Sequence, residues 1–339
     1  PPQESIQGTQ WWTSYQPVSY KLDSKLGTEA EFKNMIKQCN AVGVDIIADV
    51  VLNQTTGADV ADGKQTGVAG TEYNGSTGDY PGFATEQYPE GITASDFHSC
   101  SKNISNYANQ QEVQECRLSS MWDFDSESEK VQDIQSDYLA ALWNAGVRGF
   151  RMDAVKHIHT DSMKAIKEKF AKKIGVNADS IYWIQEVIGN SSEAAGIQPS
   201  NYVQNGTVTE FGFKSEMNQT FKDKIANLKG LNERLSKDLA SEDANVFVTN
   251  WDTARNEGAL TYKDGAKYQL ANAFMLAYDY GTPRLLSDYK WDENDNGAPG
   301  ATATSVPDVN MDEVCSTNSS DWNCEQRWTS TRGMIAFRN

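Results

Sequence analysis

Apolar residues recur along the chain in two alternating rhythms. In FKNMIKQCNAVG (32–43), Phe32, Ile36 and Cys39 fall at helical spacing and Gly43 ends the segment. VDIIADVVLN (44–53) follows as an unbroken, β-branched apolar run, the pattern of a strand covered on both faces. The pair then repeats. SEKVQDIQSDYLAALWNAG (128–146) reads as a helix and leads into strand VRGFRMDAV (147–155). SMKAIKEKFAKKIG (162–175) leads into IYWIQEVIG (181–189), and a helix across 221–240 leads into NVFVTNWD (245–252). Alternating helix and strand units predict an α/β fold.

Two regions break this rhythm. Residues 54–121 are rich in Gly, Thr, Asn and Tyr and show no clear period. A loop that long inside a compact domain implies a small subdomain or a functional insertion. Residues 290–325 form a second loop-rich region.

Charge and cysteines narrow the function classes. The 339 residues carry a formal charge of −17, which excludes a phosphate-binding surface of the nucleic-acid type and suits a neutral substrate. No apolar run approaches the ~20 residues of a membrane span. The opening PPQESIQGTQ lacks the basic start and apolar core of a signal peptide, so a mature form or a fragment is expected. Cys100/Cys116 and Cys315/Cys324 each close a short loop in polar sequence. Two local disulfides are the simple reading, which implies an oxidising compartment and a secreted protein; Cys39 is left over. Seven Asn-x-Ser/Thr sequons occur, including those at Asn74, Asn103 and Asn205.

Polar residues gather at the C-terminal ends of the expected strands: Asp49 and Asn53, Asp153, Glu186, Asn250 and Asp252. Barrel enzymes place their chemistry there. Arg151 and Asp153 are two apart in an apolar strand and so face one side. An adjacent guanidinium favours the ionised carboxylate and lowers its pKa, although a buried structural ion pair would carry the same signature. Glu186 ends IYWIQE, whose Trp and Ile are expected to desolvate it and raise its pKa, as a general acid needs. Asp252 ends a third strand. One ionised carboxylate that attacks and one protonated carboxyl that donates are the machinery of glycoside hydrolysis. Trp11, Trp12 and Tyr15 in QWWTSYQ offer flat faces for sugar rings, or core packing.

With those residues in view, the chain resembles the α-amylases of glycoside hydrolase family 13. Four motifs stand in order: DVVLNQ (49–54), GFRMDAVKH (149–157), QEV (185–187) and FVTNWD (247–252). QWWTSYQPVSYKL and CEQRW (324–328) look like the animal and actinobacterial-type, chloride-associated branch. The resemblance implies a (β/α)8 TIM barrel in two parts, 1–53 and 122–339, interrupted by the 54–121 insertion. It implies retaining endo-hydrolysis of α-1,4-glucosidic bonds in starch- or glycogen-type glucans, by a monomer. Asp153 would be the nucleophile, Glu186 the acid/base and Asp252 the transition-state carboxylate. Tyr15, Gln16, Lys156 and His157 would contact glucose units. Asn53 and Asp123 side chains, with the carbonyls of Gln114 and His157, would hold a structural calcium. Arg151, Asn250 and Arg284 match the positions that hold chloride.

Two motif positions depart from the family. Gln54 and Trp251 stand where relatives carry histidines that bond the sugar being cleaved, so a catalytically impaired, glucan-binding protein is the alternative reading. Against the family pattern, the chain begins at the end of the second barrel strand and stops within the eighth helix. The first strand and a C-terminal β-sandwich are expected to lie beyond its ends.

Overall fold

In a computed structural model, residues 1–256, 258–316 and 321–339 are described. They form two units: residues 1–206 with 300–307, and residues 207–299 with 308–339.

The first unit begins with helix α1 (Glu29–Ala41), capped by a reciprocal pair in which Thr28 accepts from the Glu31 N–H and Glu31 accepts from that of Thr28. Strand β1 (Ile47–Val50) follows, then β2 (Gln54–Gly57). After the insertion come β3 (Met121–Asp123), α2 (Glu129–Asn144), β4 (Gly149–Met152), α3 (Thr160–Ile174) and β5 (Tyr182–Gln185). Strands β1, β4 and β5 are parallel neighbours, with Asp49 opposite Arg151 and Arg151 opposite Ile184. That register is what later sets two acidic strand ends beside one arginine. Every residue of β4 is buried, Arg151 included.

The insertion builds its own small core. Tyr73, Tyr80, Phe83, Ile92 and Phe97 pack with Phe124 and with Val131 and Ile134 of α2. Strands β2 and β3 pair antiparallel, Gln54 opposite Asp123, and tie the insertion to the end of β1. The Cys100–Cys116 disulfide closes a loop within it, and Cys315–Cys324 is also formed. Cys39 is a free thiol. Of the sequons, Asn103 is exposed, Asn74 half-buried and Asn205 buried; the one at Asn318 lies outside the described residues.

In the second unit, β6 (Thr207–Glu210) and α4 (Phe211–Asn218) precede β7 (Ala244–Val246), α5 (Ala266–Ala277), β8 (Thr282–Pro283) and α6 (Thr329–Arg338). Here β7 lies between β6 and β8, all parallel. The helix expected across 221–240 is not continuous. Lys224 is extended, and Gly230 is left-handed at φ +72°, so only Leu231–Leu235 forms an α-helical turn. Leu231 and Leu235 are its buried anchors, whereas Ile225 is exposed and opens only a short 3-10 turn. Among the described residues no helix is long and apolar enough to cross a membrane.

Candidate active site

The guanidinium of Arg151 organises the first unit's acidic strand ends. Its Nη1 donates to Asp153 Oδ1 at 2.7 Å and to Asp49 Oδ1 at 2.8 Å. Its Nη2 lies 2.7 Å from Glu186 Oε1. The i, i+2 spacing on β4 accounts for the first contact, and the β1–β4 register for the second. Glu186 arrives from the end of β5, where its N–H donates to the Met152 carbonyl. Its other oxygen, Oε2, accepts from the Ala154 N–H at 2.9 Å. Ala154 takes a left-handed backbone, φ +50°, and that turn directs the N–H. A non-glycine residue in this region costs on the order of 1–3 kcal/mol, a strain found where surroundings over-determine the chain.

This arrangement changes two expectations. Glu186 does not sit in a wholly apolar pocket: Ile184 shares its face of the strand, but its Oε1 pairs with Arg151 and its Oε2 accepts from the Ala154 N–H. Nor does Arg151 hold Asp153 low. Burial raises the Asp153 carboxyl, Arg151 opposes that, and the neighbouring Glu186 and Asp49 add to the rise, leaving it at about 7. The guanidinium acts on Asp153 in full, but burial and the two neighbouring carboxylates outweigh it.

Around this centre, Tyr15 Oη donates to Asp49 Oδ2 at 2.5 Å. Gln54 Nε2 donates to the Tyr15 carbonyl at 3.1 Å and reaches Asp153 Oδ2 at 3.4 Å. Trp11 meets the Tyr15 ring edge-on, and Trp12 is half-buried beside it. Gln16 accepts from the Gly57 N–H through its side chain. Lys156 pairs with Glu193 and lies over the Tyr107 ring. His157 is buried with Nδ1 2.9 Å from the Val113 carbonyl; burial drives its pKa down to about 4, so the neutral ring donates there.

The residues implied for calcium lie in two neighbourhoods, Asn53 with Asp123 at the β2–β3 pairing and Gln114 with His157, whose ring meets the Val113 carbonyl. The Phe124 N–H donates to the Asn53 carbonyl, beside Asp123. Gln114 Nε2 donates to the Ile158 carbonyl and to Tyr202 Oη, next to His157. Asp123 Oδ1 is buried and has no hydrogen-bond partner among the described residues. Burial pushes its carboxyl up to about 7, although His98 opposes the rise. A desolvated carboxylate with an open oxygen fits a hard cation, and the committed side chains of Gln114 and His157 leave their carbonyls to serve as ligands.

In the second unit, Asn250 Oδ1 accepts from the Thr253 N–H and hydroxyl at 2.8 and 2.9 Å. Asp252 Oδ1 accepts from Asn256 Nδ2. The Trp251 carbonyl accepts from Arg255, and the Arg284 guanidinium lies 5.9 Å from the Trp251 ring centre. Asp49 was expected only as a polar strand end, and Glu193, His98 and His159 carried no expected role. Asp49 was findable as the acidic residue opening DVVLNQ. The others depend on contacts between distant segments.

A parallel α/β scaffold with buried carboxylates gathered on an arginine at strand ends is the place where barrel enzymes carry their chemistry. The alpha amylase catalytic-domain profile matches residues 11–285, and the chain belongs to that family, the (β/α)8-barrel amylases. It is 38 % identical over 340 residues to an alpha-amylase of Streptomyces violaceus, and 35 % identical over 353 residues to that of Pecten maximus. All of this chain is covered in both, but only 54 % and 68 % of the relatives. The crystal structure of alpha-amylase I from Eisenia fetida superposes with a TM-score of 0.88 at 32 % identity, over all of this chain and 71 % of that one. A variant of that enzyme, solved as a maltohexaose complex, superposes with a TM-score of 0.87.

Proposed function

We propose that the protein hydrolyses internal α-1,4-glucosidic bonds of starch- or glycogen-type glucans with retention of configuration. The observation that carries this reading is the Arg151 fork, which holds Asp153 and Glu186 side by side on one guanidinium. Paired carboxyl groups at such a site perform double displacement. Asp153 attacks the anomeric carbon and forms a glycosyl ester. As the glycosidic C–O bond breaks, the leaving oxygen takes a proton from Glu186. Water enters, Glu186 removes its proton, and the ester is cleaved to regenerate Asp153. Asp252 keeps the role the resemblance gives it, stabilising the transition state. Trp11, Trp12, Tyr15, Gln16, Lys156 and His157 are proposed to contact the glucan, a ligand class supported by the relative's maltohexaose complex.

Calcium is proposed at Asn53, Asp123 and the carbonyls of Gln114 and His157, where it would supply positive charge to Asp123 and fasten the insertion to β1. Chloride, as an activator at Arg151, Asn250 and Arg284, is proposed on the resemblance alone, since Arg151 already gives Nη1 to Asp49 and Asp153 and pairs through Nη2 with Glu186. Two disulfides support passage through an oxidising compartment and so secretion, and a monomer is proposed on the resemblance.

One observation favours a second reading, a glucan-binding protein with impaired turnover. Gln54 leans on Asp153 Oδ2, the oxygen that Arg151 Nη1 does not hold, and could restrain the nucleophile. The deciding experiment incubates the full-length, calcium-loaded protein with a blocked maltooligosaccharide. The first reading expects α-anomeric products that disappear in Glu186→Gln. Binding without cleavage establishes the second reading, and neither binding nor cleavage by a folded protein removes both.

A further inference from the structure

A cluster beside the insertion takes no part in the chemistry above. His98 Nδ1 lies 2.7 Å from Asp123 Oδ2. Its other nitrogen, Nε2, is 2.9 Å from Glu127 Oε2 and 3.7 Å from Asp125 Oδ1. The second oxygen of Glu127 lies 3.0 Å from His159 Nε2. One atom from each of His98, Asp125 and Glu127 lies within 4.8 Å of the others.

We propose that His98, Asp125 and Glu127 form a binding site for a zinc-class divalent cation, with Asp123 orienting the imidazole and His159 orienting Glu127. The spacing supports this. Tetrahedral zinc with bonds of ~2.0–2.1 Å separates its ligand atoms by roughly 3.3 Å. The two distances from His98 Nε2, 2.9 and 3.7 Å, straddle that edge. The donor set supports it as well, since one imidazole and two carboxylates, with solvent as the fourth ligand, suit a borderline cation.

Asp123, itself a proposed calcium ligand, backs the imidazole from its other side. It is 2 % exposed, and its Oδ2 faces His98 Nδ1. A buried carboxylate on Nδ1 fixes the ring, the usual support of a metal-binding histidine, and a cation at Nε2 would displace the proton now shared with Glu127. Charge points the same way, since Asp123, Asp125 and Glu127 together face two imidazoles. Side-chain exposures of 12 % for His98, 38 % for Asp125 and 44 % for Glu127 leave the site open to an entering ion. The site differs in kind from the calcium site proposed above, because calcium prefers oxygen ligands and the nitrogen of His98 selects against it.

The test keeps the protein saturated with calcium throughout. Zn2+ is titrated by calorimetry, and Co2+ by the visible absorption of its four-coordinate complex. The expected result is one equivalent bound per chain, with Co2+ displaced by Zn2+ but not by excess Ca2+. Asp125→Asn/Glu127→Gln should weaken Zn2+ by more than ~100-fold, and His159→Gln by ~10–100-fold, the usual loss for a supporting partner. Circular dichroism checks that each variant is folded. The proposal is overturned by a folded wild type that binds no stoichiometric Zn2+, by binding unchanged in the double variant, or by one-for-one displacement by Ca2+.

Discussion

Replacing Arg151 by glutamine removes the cation shared by Asp49, Asp153 and Glu186. The consequence can be worked out at Asp153, whose carboxyl stands at about 7 with the arginine in place. An opposite charge in contact lowers a carboxyl by ~1–3 units, so its loss should move Asp153 to roughly 8–10. At pH 7 the ionised fraction then falls from about one half to between ~10 % and ~0.1 %. If Asp153 must be ionised to attack, kcat/KM at pH 7 falls ~5- to 500-fold from ionisation alone, before any loss of positioning. The assay is kcat/KM against pH on a blocked chromogenic maltooligosaccharide, which reports groups of the free enzyme. The acid limb should lie near pH 7 in the wild type and move up by one to three units in Arg151→Gln, with partial recovery of rate at high pH. Arg151→Lys retains the charge but not the fork, so it should lose rate with little movement of the limb. Buried carboxylates left without a partner cost about 3–5 kcal/mol, so both variants need a check of folding. A folded Arg151→Gln enzyme whose acid limb stays in place refutes the reasoning.

Further expectations follow from other parts of the molecule. If Gln54 and Trp251 are what restrains turnover, Gln54→His with Trp251→His should raise kcat/KM by ~10²–10³, the worth of a transition-state hydrogen-bond donor; steady-state kinetics decides, and no gain excludes that explanation. In calcium-free protein the raised pKa of Asp123 gives stability that is full below ~4 and lost as pH rises through about 7. Calcium should therefore raise the melting temperature more at pH 8 than at pH 5, by calorimetry, and an equal effect at both would count against Asp123 as a ligand. Replacing Cys100 and Cys116 by serine opens a loop of sequence separation 16 and should cost ~3 kcal/mol in urea unfolding. Phe83→Ala, in the insertion core, should cost about 3–5 kcal/mol, and a loss below 1 kcal/mol would show that this core is loose.

Much of this was legible in the residues because two periodicities are local. Helical spacing marked 128–146 and 162–175, and helices occupy Glu129–Asn144 and Thr160–Ile174. The strand period placed Arg151 and Asp153 together, and they touch. Strand β6 carried too little signal: Thr207–Glu210 has one apolar residue, and parallel pairing to β7 supplies what local sequence does not. The helix expected across 221–240 failed at Gly230, whose left-handed backbone a window of apolar spacing does not weigh. Electrostatics was the least legible part. Whether Asp153 ends above or below its usual range depends on its burial and on the anions beside it, and Asp49 lies 102 residues from Arg151 in the chain. The pairing of His98 and His159 with Glu127 is likewise set by tertiary contact alone.

The central claim is that Asp153, held beside Glu186 by Arg151, forms the covalent bond to sugar. It is tested most directly by treating the Glu186→Gln variant with an activated fluorinated maltosyl donor and locating the trapped label by peptide mass spectrometry. A single glycosyl ester on Asp153 is the expected result. A label on another carboxylate, or turnover of the donor to the β-anomer with no ester formed, contradicts it.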